Sequence, residues 1–334
     1  MNGRERERAP RGGAPYAGTR RGTWLKFPAW LAAALLAVLL AGSARWSPSA
    51  PPLGLQIKAP RAQLDLTLSG QLPPSPESAM VYQVVYPQVD EGYLARLAAA
   101  FGLDPASSRQ GETVVLARGA QSLEVYPQTG AFWYKDAERL WQPDGRAPAE
   151  EAGIALAEAF LAARGLLPGD ALFEGTGHSQ LTVYDAATGS STVRDTDLHV
   201  NYRLCINGAP VEGPGGKIKV YLGEGNRVVG LYWAAFEIAP ARAQPIISPQ
   251  QALEHLRQDG IATTVKDPRS ATVSQVSLAY LAGPGNEAQE FLEPVYRVSG
   301  VVAGEAEEER FVQYVPALVG QYRSPIREPA APER

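Results

Sequence analysis

The sequence is short of the residues that most often carry chemistry or staple a fold. Its 334 residues contain one cysteine, Cys205, and three histidines, His178, His199 and His255. One thiol can form neither an intramolecular disulfide nor a thiolate metal cluster, so stability has to come from burial and hydrogen bonds. There is no HExxH and no histidine pair at i, i+4, which removes the common zinc-hydrolase signature. GxSxG is also missing, which excludes a nucleophile elbow. Lysine is scarce, 6 against 25 arginines; beside the abundant Ala, Gly and Pro this reads as genome composition rather than an arginine-lined site. The body is short of positive charge too. The net charge is -4, but residues 1–26 hold seven basic and two acidic side chains, which leaves -9 for the rest. An acidic body argues against nucleic acid as a partner, because phosphate needs a basic face.

What is present begins with one uncharged run. Residues 27–44, FPAWLAAALLAVLLAGSA, have no charge. At about 1.5 Å per residue they nearly cross a hydrocarbon core of about 30 Å. Trp24, Trp30 and Trp46 mark its ends, where amphipathic rings prefer the interface, and Arg20, Arg21 and Lys26 precede it. These features predict a cytoplasmic basic tail at 1–23, a single transmembrane anchor at 24–44 and an extracytoplasmic body. The alternative is a signal peptide cleaved near Ala44, leaving a secreted protein. Ser43 stands where a lipidated cysteine would be needed, so no lipidation is expected.

Residues 45–76 are rich in Pro, Ser and Ala and read as a semi-extended linker. Three blocks follow, at 77–143, 146–240 and 246–320, with a charged, Pro-rich tail at 321–334. Each block reads as a helix followed by antiparallel strands. In the first, DEGYLARLAAAFGL puts Tyr93, Leu94, Leu97 and Phe101 on one stripe, with Asp90 as N-cap and Gly102 as stop. In the second, a helix at 148–165 is followed by strict alternation: Leu198, Val200, Tyr202, Leu204 and Ile206 against His199, Asn201, Arg203 and Cys205. Period two with one apolar face predicts a sheet that buries one side and solvates the other. Asn207-Gly208 is a hairpin turn, and KIKVYL (217–222) and RVVGLYWAAF (227–236) continue the meander. In the third, Ser248 caps a helix with Pro249 at its first position. The expected fold class is α+β: an N-terminal transmembrane helix followed by repeated helix-plus-antiparallel-meander modules.

Candidate sites are few. Asp195, Asp197 and His199 form a DxDxH run that alternation would put on one face, where carboxylates and imidazole could hold a divalent cation. GPGGK at 213–217 resembles a phosphate loop, but Val211 stands where the first Gly is required and Ile218 where Ser or Thr is. No cofactor is therefore expected. Tyr221, Tyr232 and Trp233 are candidates for a partner-facing aromatic surface. A Ser-His-Asp triad needs no closeness in sequence, so His178, His199 and His255 remain its available bases.

SPQQALEHL (248–256) and PAEEAGIALAEAFL (148–161) resemble the helix of PepSY-type domains, and NYRLCINGAPVEGPGGKIKVYLGEGNRVVGLYW (201–233) resembles the strands that follow it. The layout behind one anchor is similar to the YycH and YycI regulatory proteins, extracytoplasmic modulators of a sensor histidine kinase. The resemblance implies a non-catalytic membrane-anchored regulator in a two-component system, acting by protein–protein contact in the envelope. PepSY propeptides imply a second reading, an inhibitor or propeptide-like modulator of a secreted peptidase. A hydrolase with a dispersed triad is the third.

Overall fold

The computed structural model describes residues 60–142, 146–186 and 188–320. The chain begins with β1 (Arg61–Ala62), β2 (Asp65–Leu68) and β3 (Ser78–Val85). Helix α1 (Glu91–Phe101) leads a meander of β4 (Ser107–Gln110), β5 (Thr113–Arg118), β6 (Gln121–Val125) and β7 (Phe132–Asp136). Helix α2 (Glu150–Ala162) leads β8 (Ala171–Asp185), β9 (Ser190–Ile206), β10 (Ala209–Glu212), β11 (Lys217–Gly223), β12 (Arg227–Trp233) and β13 (Glu237–Pro245). Helix α3 (Pro249–Asp259) leads β14 (Ile261–Ala262), β15 (Ser270–Leu281), β16 (Phe291–Ala303) and β17 (Glu308–Pro316).

Local chemistry accounts for the helix ends. Asp90 accepts from the Tyr93 amide at 2.8 Å, and Gly102 takes the left-handed conformation that ends α1. The Ser248 side chain and Gln251 form a capping box around α3, and Pro249 occupies its first turn. Two acidic residues, Glu150 and Glu151, sit in the first turn of α2, where the helix dipole favours them. Asn207 and Gly208 both have positive φ, as the two-residue turn from β9 into β10 requires.

The expected modular α+β plan does not survive. Strands from all three blocks join one mixed, fifteen-stranded sheet. β7 of the first block pairs with β12 of the second, and β10 of the second pairs in parallel with β15 of the third. β3, from before α1, lies between β13 and β16. The reason is that a free meander edge leaves a row of unpaired N–H and C=O groups, and these blocks close their edges on each other. The three helices run only 11 to 13 residues, so the fold is predominantly β rather than a chain of PepSY-like modules. The described residues all lie within one compact unit.

Among the described residues no helix is long and apolar enough to cross a membrane. The anchor expected at 24–44, its flanking Arg20, Arg21, Trp24, Lys26, Trp30 and Trp46, and the alternative cleavage near Ala44 lie outside the described residues. The expectation of an anchored two-component regulator therefore finds no support in the described fold.

Two large cores and a smaller cluster of Leu140, Tyr221 and Val229 hold the sheet. One packs α1 and α2, through Leu97, Phe101, Ala157 and Leu161, on Leu198, Val200, Val220 and Leu231. The other packs α3, through Ala252, Leu253 and Leu256, on Val273, Val298 and Phe311. Gly300 lies in the second, on β16 between β15 and β17. A Cβ there would stand 2.1 Å from the Thr272 carbonyl oxygen. Gly300→Ala is expected to cost about 1–3 kcal/mol. The urea midpoint should fall with no change of slope; an unmoved midpoint would mean that β15 yields at no cost.

Candidate functional site

The polar face of β9 and β11 is where the sequence expectation fails most informatively. Antiparallel register sets Lys217 opposite Arg203, Lys219 opposite Asn201 and Tyr221 opposite His199, all away from α2. Alternation predicts that this face is wet. Instead Asp197, His199, Arg203, Lys217, Lys219 and Tyr221 are all buried. Burying charge is costly unless it is paired, so the partners explain the arrangement.

One group of partners surrounds Glu212 at the end of β10. Its carboxylate contacts Arg203 of β9, lies 3.3 Å from Arg297 Nε of β16, and accepts from the Tyr314 hydroxyl of β17 at 2.9 Å. Arg203 also meets Glu174 of β8. Burial lowers the Lys217 pKa; Arg203 adds to this, while Glu174 and Glu212 oppose it. This cluster ties the second block to the third beside the β10–β15 junction, where only two residue pairs carry the ladder.

The second group lies further along β9. Asp197 has no exposed surface. Its Oδ1 accepts from the Ser179 amide at 3.3 Å and stands 3.6 Å from His199 Nδ1. The Lys219 ammonium sits 5.0 Å from the centre of the Tyr221 ring, and the His199 and Trp133 rings flank Tyr221 at 5.7 and 5.1 Å. Burial pushes the Lys219 pKa down to about 8; Asp197 opposes the shift and Lys217 adds to it. Burial also lowers the His199 pKa, against the opposing pull of Asp197. His178 places Nδ1 2.9 Å from the Asp197 carbonyl oxygen.

The DxDxH run is not brought together. Asp197 pairs with Ser179 but Asp195 pairs with Gln180, so Thr196 has no opposite residue and the strand bulges there. The extra residue breaks the period-two alternation. Asp195 is exposed and accepts from the Gln180 amide at 3.1 Å, while Asp197 and His199 stay inside. Among the described residues no group of three or more His, Cys, Asp or Glu is placed to share a metal ion.

The aromatic surface is also divided. Tyr221 is only 6% exposed. Tyr232 lies opposite Trp133 and Lys219 on the polar face, and burial pushes its pKa up to about 12. Trp233 faces the other way. It stacks on Phe132 at 5.4 Å and donates from Nε1 to the Leu166 carbonyl at 2.9 Å. The reason is the period of the strand: Tyr232 and Trp233 are adjacent, so their side chains leave opposite faces. Cys205 is half-buried with a free thiol.

Sequence reading missed β8 and with it the most exposed feature of the fold. β11 accompanies β9 only as far as Leu198. Beyond that point β8 and β9 continue as a two-stranded arm, paired as far as Asp185 and Ser190. Thr182 pairs with Val193 and Tyr184 with Ser191, so Tyr184 and Val193 lie diagonally on one face. Tyr184 is 67% exposed and Val193 55%, and Val183 on the opposite face is 45% exposed. The alternation of Leu181, Val183 and their polar neighbours was the available signal, but Gly175, Gly177 and His178 interrupt it.

No protein-family model matches the chain, and no curated protein matches it. Among solved structures it is similar to an uncharacterized protein from Eubacterium rectale ATCC 33656, at 11% identity and a TM-score of 0.39, over 78% of this chain and 91% of that one.

Proposed function

We propose that the chain is a protein-binding module without catalysis of its own, and that the β8–β9 arm is its binding element. The observation that carries this reading is the pair Tyr184 and Val193, exposed together on a ribbon that no third described strand supports. A two-stranded ribbon is marginal alone in water, and exposed aromatic and branched side chains gain most when a partner covers them. The outer edge of β8 is unpaired among the described residues, so a partner strand could add to it through main-chain hydrogen bonds.

The test is crosslinking of the full-length tagged chain in cells, with Tyr184→Ala/Val193→Ser as the comparison. A partner recovered with the wild type should drop at least tenfold with the variant, while folding stability moves by less than about 0.5 kcal/mol, as for surface changes. Equal recovery of the same partner by both chains would sink the arm as the binding element.

A further inference from the structure

The arm leaves the sheet at a single polar knot. The third strand, β11, ends its pairing at Leu198, and the bulge at Thr196 follows two residues on. A bulge bends and twists its strand, so this is where the direction of the arm is set. Side chains from both strands close on it. The Thr196 hydroxyl donates to the Ser179 carbonyl at 3.1 Å and lies 3.4 Å from Asp197 Oδ2. Asp197 Oδ1 holds the Ser179 amide, at a long 3.3 Å. His178 fastens the Asp197 carbonyl from β8. His199 stands against Gly177, where a Cβ would come within 2.6 Å of Nε2, so a side chain there would displace the ring.

His199 Nδ1 is buried and makes no hydrogen bond, and Asp197 Oδ1 lies 3.6 Å away. The same oxygen therefore has two claimants, the Ser179 amide and the His199 imidazole. The titratable groups facing His199 are Asp197 on its own strand, His178 on β8, and Lys219 and Tyr221 on β11. We propose that this knot is a pH-operated joint, in which a proton taken up by His199 draws the Asp197 carboxylate away from Ser179 and loosens the root of the arm. An imidazolium–carboxylate hydrogen bond is charge-assisted on both sides and outcompetes a long amide–carboxylate bond for one oxygen. Desolvation holds the His199 pKa below its usual 6.5, so the joint works on the acid side of that value. Asp197 is the only anion among the facing groups, and Lys219 and His178 both oppose the proton. The inference rests on the reading of the arm as a binding element and supplies its regulation.

The experiment is amide hydrogen exchange on the full chain at pH 7.5 and pH 5, corrected for the intrinsic rates. Protection of the Ser179 amide and of segment 180–195 should fall at least tenfold at pH 5, while β11 keeps its protection. His199→Gln should remove the acid response, and His178→Gln should retain it. An acid response that persists in His199→Gln, or wild-type protection indifferent to pH, would overturn the joint. A second measurement covers a variant that folds poorly: in the wild type, the NMR shift of the Ser179 amide must titrate with the same midpoint as the His199 ring, and unequal midpoints overturn the proposal. No partner is needed, so failure here leaves the binding role of the arm standing, and loss of that role leaves the joint to be judged separately.

Discussion

Replacing Glu212 with glutamine is expected to cost about 3–5 kcal/mol of folding stability, the scale found when one member of a buried ion pair is removed. Glu212 is 4% exposed and serves Arg203, Arg297 and Tyr314 together. A neutral amide keeps the volume and can still accept from Tyr314. It leaves Arg203, Arg297 and Lys217 with Glu174 as the remaining carboxylate of the cluster. The loss should fall on the junction of the second and third blocks, where β10 and β15 share only Val211–Tyr280 and Glu212–Leu281. Urea unfolding read at two probes checks it, one on α2 and one on α3. A cost under about 1 kcal/mol, the range of an exposed pair, would show that water reaches the cluster and screens it. Glu212→Leu with Arg297→Met should recover part of the loss, because the Arg297 charge leaves with its partner while Arg203 keeps Glu174.

The opposite sign is expected at Lys219. The folded chain gives up this proton near pH 8, against an ordinary 10.5. Between those values the unfolded state holds more protons, so stability rises with pH across that window. Below it the buried ammonium costs about 3 kcal/mol at about 1.4 kcal/mol per pH unit. Lys219→Met keeps an unbranched side chain beside the Tyr221 ring and removes the charge. Stability at pH 7 should rise by about 1–3 kcal/mol, the lower end reflecting the loss of a cation near Asp197. The increase between pH 8 and 10 should shrink in the variant to the part that the buried Lys217 contributes. Thermal melts at pH 7 and pH 10 test both parts. A variant less stable than the parent at pH 7 would show that the contacts of the ammonium outweigh its desolvation.

Much of the local structure was legible. The capping residues Asp90 and Ser248, the stops at Gly102 and the Asn207-Gly208 turn all act through neighbours within a few residues, and all stand where the sequence puts them. The strands read at 217–222 and 227–236, which form at Lys217–Gly223 and Arg227–Trp233, were legible for the same reason, since branched and aromatic alternation is a local signal. β8 was not, because glycines and a histidine interrupt its period. The fold class was misjudged because module edges were treated as ends. Whether β7 meets β12, or β3 slips between β13 and β16, depends on pairings 95 or more residues apart.

The candidate site divides along the same line. The apolar face of β9 follows from its period, and it packs on α2 as expected. The burial of the other face does not, because Glu212, Arg297 and Tyr314 reach Arg203 from strands distant in the chain. The DxDxH run fails through one unpaired residue, Thr196, which resets the alternation that had placed Asp195 with Asp197 and His199. Residue order alone specified where helices begin, where hairpins turn and which strand face is apolar, since each depends on interactions within a few positions. Long-range pairing specified the single mixed sheet, the burial of the charged face and the projecting arm, because hydrogen-bonding edges and buried charges are satisfied by whichever partners the completed fold brings within reach.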